Sequence, residues 1–305
     1  MSKVLRIGTR ESQLAVWQAE LVKAQLAQHS IESELVFIKS EGDIDLVTPL
    51  YEIGVQGIFT KTLDAALLTK RIDLAVHSMK DVPVQLAKGI VQAAVLQRAS
   101  YKDILVYKGN TDFLNDPNST AIIATSSIRR KAQWLHHYPN HTIENLRGNV
   151  NTRLQKVKDN NWNGAIFAAA GVERINIRPG NSIDITWMLP APAQGAIMVV
   201  CNEDDSATRH VCAALNDEAT AVCTKLERDF LKTLMGGCST PISALATIEN
   251  DMVHFRGNIY SLDGSEFAEI EKTASINEAA SLGIDAAKEL LVNGADKISA
   301  TIRNG

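Results

Sequence analysis

Short apolar strands alternate with amphipathic helices through residues 4–174, and this alternation limits the folds available to the chain. Residues 4–9 and 72–76 are short apolar runs typical of buried strands, whereas residues 60–69 carry leucines and alanines at helical spacing. Strands that alternate with helices usually form parallel sheets with helices packed on their faces. The sequence therefore predicts an α/β protein.

A second α/β unit begins near Tyr101, and in it a strand is followed three times by small or polar residues and then by a helix with an arginine nearby. The three transitions are Thr125-Ser126-Ser127 before Arg129, Arg147-Gly148-Asn149 before Val150, and Ala170-Gly171-Val172 before Arg174. Ligands bind at the carboxyl ends of strands in such sheets, where helix N-termini offer N–H donors to anions. We therefore expect the arginines to converge on one anion-binding cleft, formed by two hinged lobes that close on a small ligand.

The charge distribution also indicates an anionic ligand. The chain has 35 acidic and 31 basic residues, a net charge of −4, yet residues 126–180 contain nine bases and three acids, a local surplus of six positive charges. Arginine dominates this set and suits bidentate binding of carboxylate or phosphate. A solvated basic face is the alternative interpretation. The negative net charge and the 5% aromatic content disfavour a nucleic-acid-binding protein.

Composition excludes several other classes of protein. The longest nearly unbroken apolar run, residues 164–172, is too short to span a membrane, and the charged N-terminal segment lacks the apolar stretch of a secretory signal. Four cysteines without a C-x-x-C pair disfavour a disulfide framework or structural zinc. Pro139 separates His137 from His141 and disfavours a metal site there. We expect a cytoplasmic protein.

The pattern changes from Ala219 onward. A long helix reaches Met235, the loop Gly236-Gly237-Cys238 follows, and three alternating strands precede a closing helix at about residues 277–292. The strands are expected at about residues 242–249, 252–260 and 266–273. This predicts a C-terminal α+β domain with a three-stranded antiparallel sheet. The predicted division is residues 1–98 and 196–216 for the first lobe, 99–195 for the second, and 217–305 for the terminal domain.

Two residues stand out as chemically reactive. Asp81 follows a strand in the segment HSMKDVP and can serve as the one carboxylate facing an arginine-rich cleft, although a surface turn explains its position equally well. Cys238 lies beside two glycines on a loop, which favours a nucleophilic or cofactor-bearing thiol over the alternative of a small buried side chain. The other three cysteines, Cys201, Cys212 and Cys223, fit the buried interpretation.

Seven motifs, in one order along the chain, resemble the porphobilinogen deaminase (hydroxymethylbilane synthase) family. They are IGTRESQLA from Ile7, HSMKDVP from His77, ATSSIRR from Ala124, LRGNVNTRL from Leu146, AAAGVERI from Ala168, PAPAQGA from Pro190 and GGCSTPI from Gly236. The resemblance implies two lobes like those of a periplasmic binding protein and a third domain that presents the cysteine loop. It also implies a monomeric transferase of haem and tetrapyrrole biosynthesis that acts on a small molecule, with no metal, membrane or nucleic-acid partner.

The reaction implied is the stepwise addition of four porphobilinogen units to a dipyrromethane cofactor joined by a thioether to Cys238. Each addition releases ammonia, and water finally cuts off the linear tetrapyrrole. Asp81 matches the catalytic aspartate, which would hydrogen-bond pyrrole N–H groups, assist loss of the amine and stabilise the resulting azafulvenium-type cation.

The resemblance also assigns binding roles, residue by residue. Cofactor-binding positions, besides Cys238 and Asp81, are matched by Lys80, Thr125, Ser127, Arg129, Arg130, Arg153 and Gln194. Substrate-binding positions are matched by Arg10, Ser12, Gln18, Arg147, Arg153 and Arg174. The chain departs from the usual pattern at Gln56, Thr62, Asn151 and Ala193, where lysine, glutamate and two glycines are frequent.

The main alternative is a non-catalytic anion-binding protein with a two-lobed receptor fold. Such a protein would explain the predicted cleft and the arginines. It would not explain Cys238 or the third domain.

Overall fold

The computed structural model describes residues 3–39, 60–234 and 240–304. Among these, residues 3–39, 60–99 and 194–222 form one compact unit, and residues 100–193, 223–234 and 240–304 form a second. Two of the predicted features, Gln56 and Cys238, lie outside the described residues. No helix within the described ranges is long and apolar enough to cross a membrane.

The elements are numbered along the chain. The strands are β1 (Leu5–Thr9), β2 (Ser33–Phe37), β3 (Leu74–Ser78), β4 (Ile90–Leu96), β5 (Asp103–Tyr107), β6 (Ile122–Ala124), β7 (Thr142–Glu144), β8 (Gly164–Ala168), β9 (Ser182–Ile185), β10 (Ile197–Asn202), β11 (Ile242–Glu249), β12 (Met252–Tyr260) and β13 (Phe267–Ser275). The helices are α1 (Gln13–Gln28), α2 (Lys61–Leu68), α3 (Ile128–His137), α4 (Val150–Asp159), α5 (Ala169–Glu173), α6 (Ser206–Ala213), α7 (Glu218–Thr233), α8 (Leu282–Leu290) and α9 (Asp296–Asn304).

The first unit contains a five-stranded sheet in the order β2-β1-β3-β10-β4. Strands β1, β2 and β3 are parallel, whereas β10 is antiparallel to both of its neighbours. Strand β10 is an almost continuous apolar run because it lies inside the sheet. Helix α1 buries Val22 and Leu26 against Ile7 and Leu74 of the sheet, which fixes the carboxyl end of β1 beside the start of the helix.

The second unit contains a five-stranded sheet in the order β7-β6-β8-β5-β9. Strands β6, β7 and β8 are parallel, and β5 is antiparallel to β8 and β9. Both sheets therefore share one plan: three parallel strands with the second in sequence at the edge, then an antiparallel strand, then a further strand. The predicted α/β class is confirmed, and each sheet also contains an antiparallel strand, β10 in the first and β5 in the second.

The second unit also contains the antiparallel sheet β11-β12-β13, as predicted for the C-terminal part of the chain. Phe230 of α7 packs on Phe255 of β12, with ring centroids 5.2 Å apart. At Gly264, in the turn between β12 and β13, an added Cβ would lie 2.4 Å from the carbonyl oxygen of Ala132. The turn therefore approaches helix α3 more closely than any side chain at this position would permit.

Candidate functional site

The segment after β3 presents a lysine and an aspartate in different environments. Residues Met79–Asp81 form a single 3₁₀ turn, anchored by the buried Met79 and closed by the Val82 N–H, which donates to the Met79 carbonyl (3.1 Å). The Lys80 Nζ donates to Gln194 Oε1 (3.1 Å). Asp81 is exposed, and its carboxylate has no hydrogen bond or ion pair with any residue that the structure describes. The turn therefore leaves a carboxylate open to solvent beside a lysine that is held by an amide.

Gln194 is buried, and its backbone carbonyl accepts a hydrogen bond from Arg98 Nε (2.8 Å). The neighbouring Gly195 carbonyl accepts from the Ala99 N–H (3.1 Å). These contacts hold the Gln194 backbone, so its side chain meets Lys80 at a defined position. Two of the residues predicted to surround the cofactor, Lys80 and Gln194, are thus in direct contact.

Three further predicted residues lie around the carboxyl end of β1. Ser12 caps α1 by accepting from the Ala15 N–H (3.4 Å), which leaves its own hydroxyl hydrogen available to another acceptor. Gln18 is buried and donates to Ser78 Oγ at the end of β3 (2.8 Å). Arg10 follows β1 directly and is half-buried. Burial, together with the charge of Arg10, lowers the pKa of His77 to about 4.

In the second unit, the Thr125-Ser126-Ser127 segment ends in a helix cap. Ser127 Oγ accepts from the Arg130 N–H at the start of α3 (3.4 Å), and Thr125 Oγ1 accepts from the Ser127 N–H (3.2 Å). The cap begins helix α3 at Ile128, close to Arg129, where the sequence predicted the start of a helix. Both hydroxyl groups retain a hydrogen that can be donated to an anion at this helix end.

Arg129 and Arg130 share one buried counter-ion, Asp103 of β5. The Arg129 Nη2 donates to Asp103 Oδ2 and the Arg130 Nη2 donates to Asp103 Oδ1, both at 2.7 Å. Arg129 Nη1 also donates to the Leu189 carbonyl (2.6 Å), and Arg130 Nη1 donates to the Ile166 carbonyl (3.0 Å). Burial lowers the pKa of Arg129, and Asp103 opposes that shift.

This cluster of two cations and one anion keeps a net positive charge. Arg129 is 5% exposed, and its Nε is buried with no hydrogen-bond partner among the described atoms. Asp103 was absent from the predicted site. Its only sequence signal is an acidic residue at the start of the apolar run DILVY.

The remaining predicted arginines follow the second and third parallel strands of the same sheet. Arg147 is buried just after β7, and Arg153 on α4 donates from Nε to the Gly148 carbonyl (2.7 Å). Arg174 directly follows α5, and burial lowers its pKa to about 10. Because β6, β7 and β8 are parallel, their carboxyl ends and these arginines lie at the same edge of the sheet.

The departures from the family pattern have different surroundings. Asn151 is exposed on α4, and Thr62 on α2 is half-buried. Ala193 is buried and has a φ of +62°, in the left-handed region where glycine is favoured. The frequent glycine at this position therefore has a backbone reason, and the chain places alanine in a strained conformation.

Glu227 is a second buried polar residue that the sequence interpretation missed. It is fully buried in α7, and its carboxylate accepts from the N–H groups of Ala193 (2.6 Å) and Ala246 (2.8 Å). The signal was available, because Cys223, Glu227, Phe230 and Leu234 recur at helical spacing and all four are buried. An acidic residue within an apolar helical stripe indicates a buried, bonded carboxylate.

Comparisons with known proteins cover nearly the whole chain. Residues 5–210 match the family described as porphobilinogen deaminase, dipyromethane cofactor binding domain, and residues 221–292 match porphobilinogen deaminase, C-terminal domain. The chain is 40% identical to the porphobilinogen deaminase of Chloroherpeton thalassium and 41% identical to that of Chlorobium chlorochromatii, in each case over 311 residues and 99% of both chains.

Solved structures show a weaker likeness. The methionine-binding protein MetQ has a TM-score of 0.43 at 14% identity, covering 71% of this chain and 91% of that chain. The periplasmic sulfonate-binding protein SsuA of Methylobacillus flagellatus has a TM-score of 0.43 at 15% identity, covering 74% of this chain and 68% of that chain.

Proposed function

The chain belongs to the porphobilinogen deaminase family, and we propose that Asp81 is the carboxylate that serves its reaction. A porphobilinogen deaminase joins four porphobilinogen molecules, releases one ammonia at each addition and uses water to free hydroxymethylbilane. The observation that carries the assignment is the contrast within one turn: Lys80 is held by Gln194, whereas the adjacent Asp81 is exposed and unpaired among the described residues.

Asp81 has the properties that the reaction requires of its carboxylate. With both oxygens open, it can accept hydrogen bonds from pyrrole N–H groups. It can hold the proton that accompanies the departing amine and stabilise the positive charge left on the substrate. The Lys80 ammonium group donates to Gln194 Oε1, and Asp81 forms no ion pair with a residue that the structure describes.

The described residues fit a dipyrromethane cofactor, which carries several carboxylates. Arg129 has a buried Nε without a hydrogen-bond partner among the described atoms, and the Arg129–Asp103–Arg130 cluster contains two cations and one anion, so a further carboxylate can be accommodated there. The residues that would hold the cofactor are Lys80, Thr125, Ser127, Arg129, Arg130, Arg153 and Gln194. When bound through Cys238, the cofactor supplies the pyrrole carbon that the incoming substrate joins.

The choice of Cys238 is supported by the state of the other thiols. Cys201, Cys212 and Cys223 are buried, and none of them forms a disulfide with another residue that the structure describes. Burial raises the pKa of the Cys201 thiol, and it raises that of Cys212 to about 12. A thiolate is the nucleophilic form, so these two cysteines are poorly suited to form a thioether.

Substrate carboxylates are assigned to the arginines at the strand ends. Arg10, Arg147, Arg153 and Arg174 supply the cations, and Ser12 and Gln18 supply neutral donors. Each well-formed charge-assisted hydrogen bond contributes about 1.5–3 kcal/mol, so a growing polyanion needs several of them.

The enzyme is also proposed to be a cytoplasmic monomer with the three-domain division given above. Three buried cysteines without a disulfide among the described residues support a reducing compartment. Light scattering of the protein as it elutes from a size-exclusion column tests the monomer. A mass larger than that of one chain, at micromolar concentration, contradicts the proposal.

The central test is Asp81→Asn, with Asp204→Asn as a matched exposed control in the same unit. We expect Asp81→Asn to melt like the wild type and to keep its bound cofactor, but to lose at least about a hundredfold in kcat. The control is expected to retain wild-type turnover. Near-normal release of tetrapyrrole by Asp81→Asn removes Asp81 from this role.

Intact mass tests the cofactor independently. Protein from cells that make dipyrromethane should carry a covalent addition that Cys238→Ser lacks. A wild-type mass equal to the bare chain, with activity intact, contradicts the attachment.

A further inference from the structure

Two buried side chains attach residues 189–193 to strand β11. The first is Gln133 of α3, which is 2% exposed. Its Nε2 donates to the Leu189 carbonyl and to Ser243 Oγ, both at 3.0 Å, and its Oε1 accepts from the Leu189 N–H (2.9 Å). One amide group therefore joins α3, Leu189 and β11.

The second side chain is Glu227 of α7, which is 0% exposed. Its two oxygens accept from the N–H groups of Ala193 and Ala246, at the other end of the same contact. Between these two attachments, the Ala244 N–H donates to the Pro190 carbonyl (3.3 Å). Residues 189–193 are thus held against β11 at both ends and in the middle.

The chemistry of these contacts requires a carboxylate at position 227. Two backbone N–H donors come from separate segments, and each needs its own acceptor oxygen. A glutamine would place its NH₂ group against one of the two donors and leave that donor unsatisfied. Removing a carboxylate from water costs free energy, and charge-assisted hydrogen bonds to the two N–H groups offset that cost.

The elements joined by Glu227 are those on which the proposed cofactor depends. Helix α7 ends at Thr233 and β11 begins at Ile242, so these two elements flank Cys238, the proposed attachment residue, in the sequence. Helix α3 carries Arg129 and begins at the Ser127 cap, and Gln133 ties it to the same strand. Gln133 therefore joins the strand that follows Cys238 in the sequence to the helix that carries Arg129, and Glu227 holds the same strand to Ala193.

We propose that Glu227 is a positioning residue for the deaminase reaction: its carboxylate fixes residues 189–193 against β11 and so holds the elements that flank the cofactor attachment in register with α3. This inference rests on the proposed function. Glu227 touches neither the substrate nor the reacting atoms in this scheme.

The test is Glu227→Gln, with His141→Leu as the matched control. His141 is buried in the same unit and also makes two side-chain hydrogen bonds, accepting from Trp134 Nε1 (3.1 Å) and pairing with Ser119 Oγ (2.7 Å). Both variants remove buried hydrogen bonds, but only Glu227→Gln disturbs β11. We expect Glu227→Gln to lower kcat at least about tenfold, to change KM less than about threefold, and to reduce the fraction of chains that carry the cofactor in intact-mass spectra.

Hydrogen exchange provides a readout that does not depend on the loaded enzyme. Exchange at the amides of Ala193 and Ala246 should accelerate in Glu227→Gln and remain unchanged in His141→Leu. The control should lose similar thermal stability yet keep kcat within about twofold of wild type. Equal kcat and equal cofactor loading in the two variants overturn the inference.

Glu227→Asp is the second variant, for use where Glu227→Gln does not fold. It keeps two acceptor oxygens but shortens the side chain, so the N–H groups of Ala193 and Ala246 are no longer both reached, and we expect a decrease in kcat of about threefold with faster exchange at Ala246. Wild-type kcat and exchange in Glu227→Asp overturn the inference. Failure of the proposed function is distinguishable, because the wild-type protein would then lack both the covalent cofactor and turnover.

Discussion

Acidification is expected to destabilise the first unit through His77. This residue lies in β3 opposite Met198 of β10, is 6% exposed, and has an Nε2 without a hydrogen-bond partner among the described residues. Burial, reinforced by the charge of Arg10, lowers its pKa from 6.5 to about 4. A displacement of this size corresponds to about 3 kcal/mol between the charged and neutral forms of the folded protein.

The sign follows from comparing the folded and unfolded chains. Above pH 6.5 the imidazole is neutral in both, so it adds no pH dependence. Between pH 6.5 and 4 the His77 imidazole binds a proton in the unfolded chain but stays largely neutral in the folded chain. The free energy of unfolding therefore falls as the pH decreases. At pH 5 the loss attributable to His77 is about 2 kcal/mol, and below pH 4 it levels off near 3 kcal/mol.

Urea unfolding at pH 8 and pH 5 measures this loss. In His77→Gln the difference in unfolding free energy between the two pH values should be smaller than in the wild type by about 2 kcal/mol. His137 and His141, whose pKa values are also lowered by burial, remain in both proteins and contribute equally. His210→Gln, at an exposed position of α6, is the matched control for replacing a histidine in the same unit. The same pH sensitivity in His77→Gln and wild type refutes the reasoning.

Three substitutions test the backbone and the buried charges by urea unfolding. The left-handed conformation of Ala193 costs about 1–2 kcal/mol, and Ala193→Gly removes this strain, so the unfolding free energy of the variant should stay within about 1 kcal/mol of wild type. The control Ala132→Gly, in the buried interior of α3, should lose about 2 kcal/mol. Equal losses in the two variants contradict this expectation. Gly264→Ala forces a Cβ against the α3 backbone and should cost about 1–3 kcal/mol, and a neutral effect contradicts the close approach. Asp103→Asn leaves two buried guanidinium groups without a counter-charge and should cost about 3–5 kcal/mol, unlike an exposed Asp→Asn change.

Elements with a clear apolar period are predictable from the sequence. The alternation of residues in β11 and β12 predicts their bounds as the structure has them. Strand β9 has only four residues at a sheet edge, and β5 begins with the buried Asp103, so neither has a distinct strand pattern. Strand β4 was also not predicted, and helix α9 follows a closing helix that was expected to end the fold. The place of β10 depends on partners more than a hundred residues away, which local patterns do not contain.

In the candidate site, too, local motifs were predictable from the sequence, whereas contacts between distant residues were not. Motif matching identified Lys80 and Gln194, which the structure brings into contact, and the cap at Ser127 follows from local rules. Motif matching did not reveal that Arg129 and Arg130 share a buried counter-ion. Asp103 lies 26 residues before Arg129 and 27 before Arg130, and it contacts them only through the packing of β5.

The position of β10 inside the first sheet has a consequence for synthesis on the ribosome. Strands β1 to β4 emerge within the first 96 residues, but the strand that lies between β3 and β4 ends at Asn202. Until about two-thirds of the polypeptide has been translated, the edges of β3 and β4 that pair with β10 therefore lack this hydrogen-bonding partner. The sheet β7-β6-β8-β5-β9 is built from residues 103–185 alone, so all of its strands are available before the first sheet has its β10 strand.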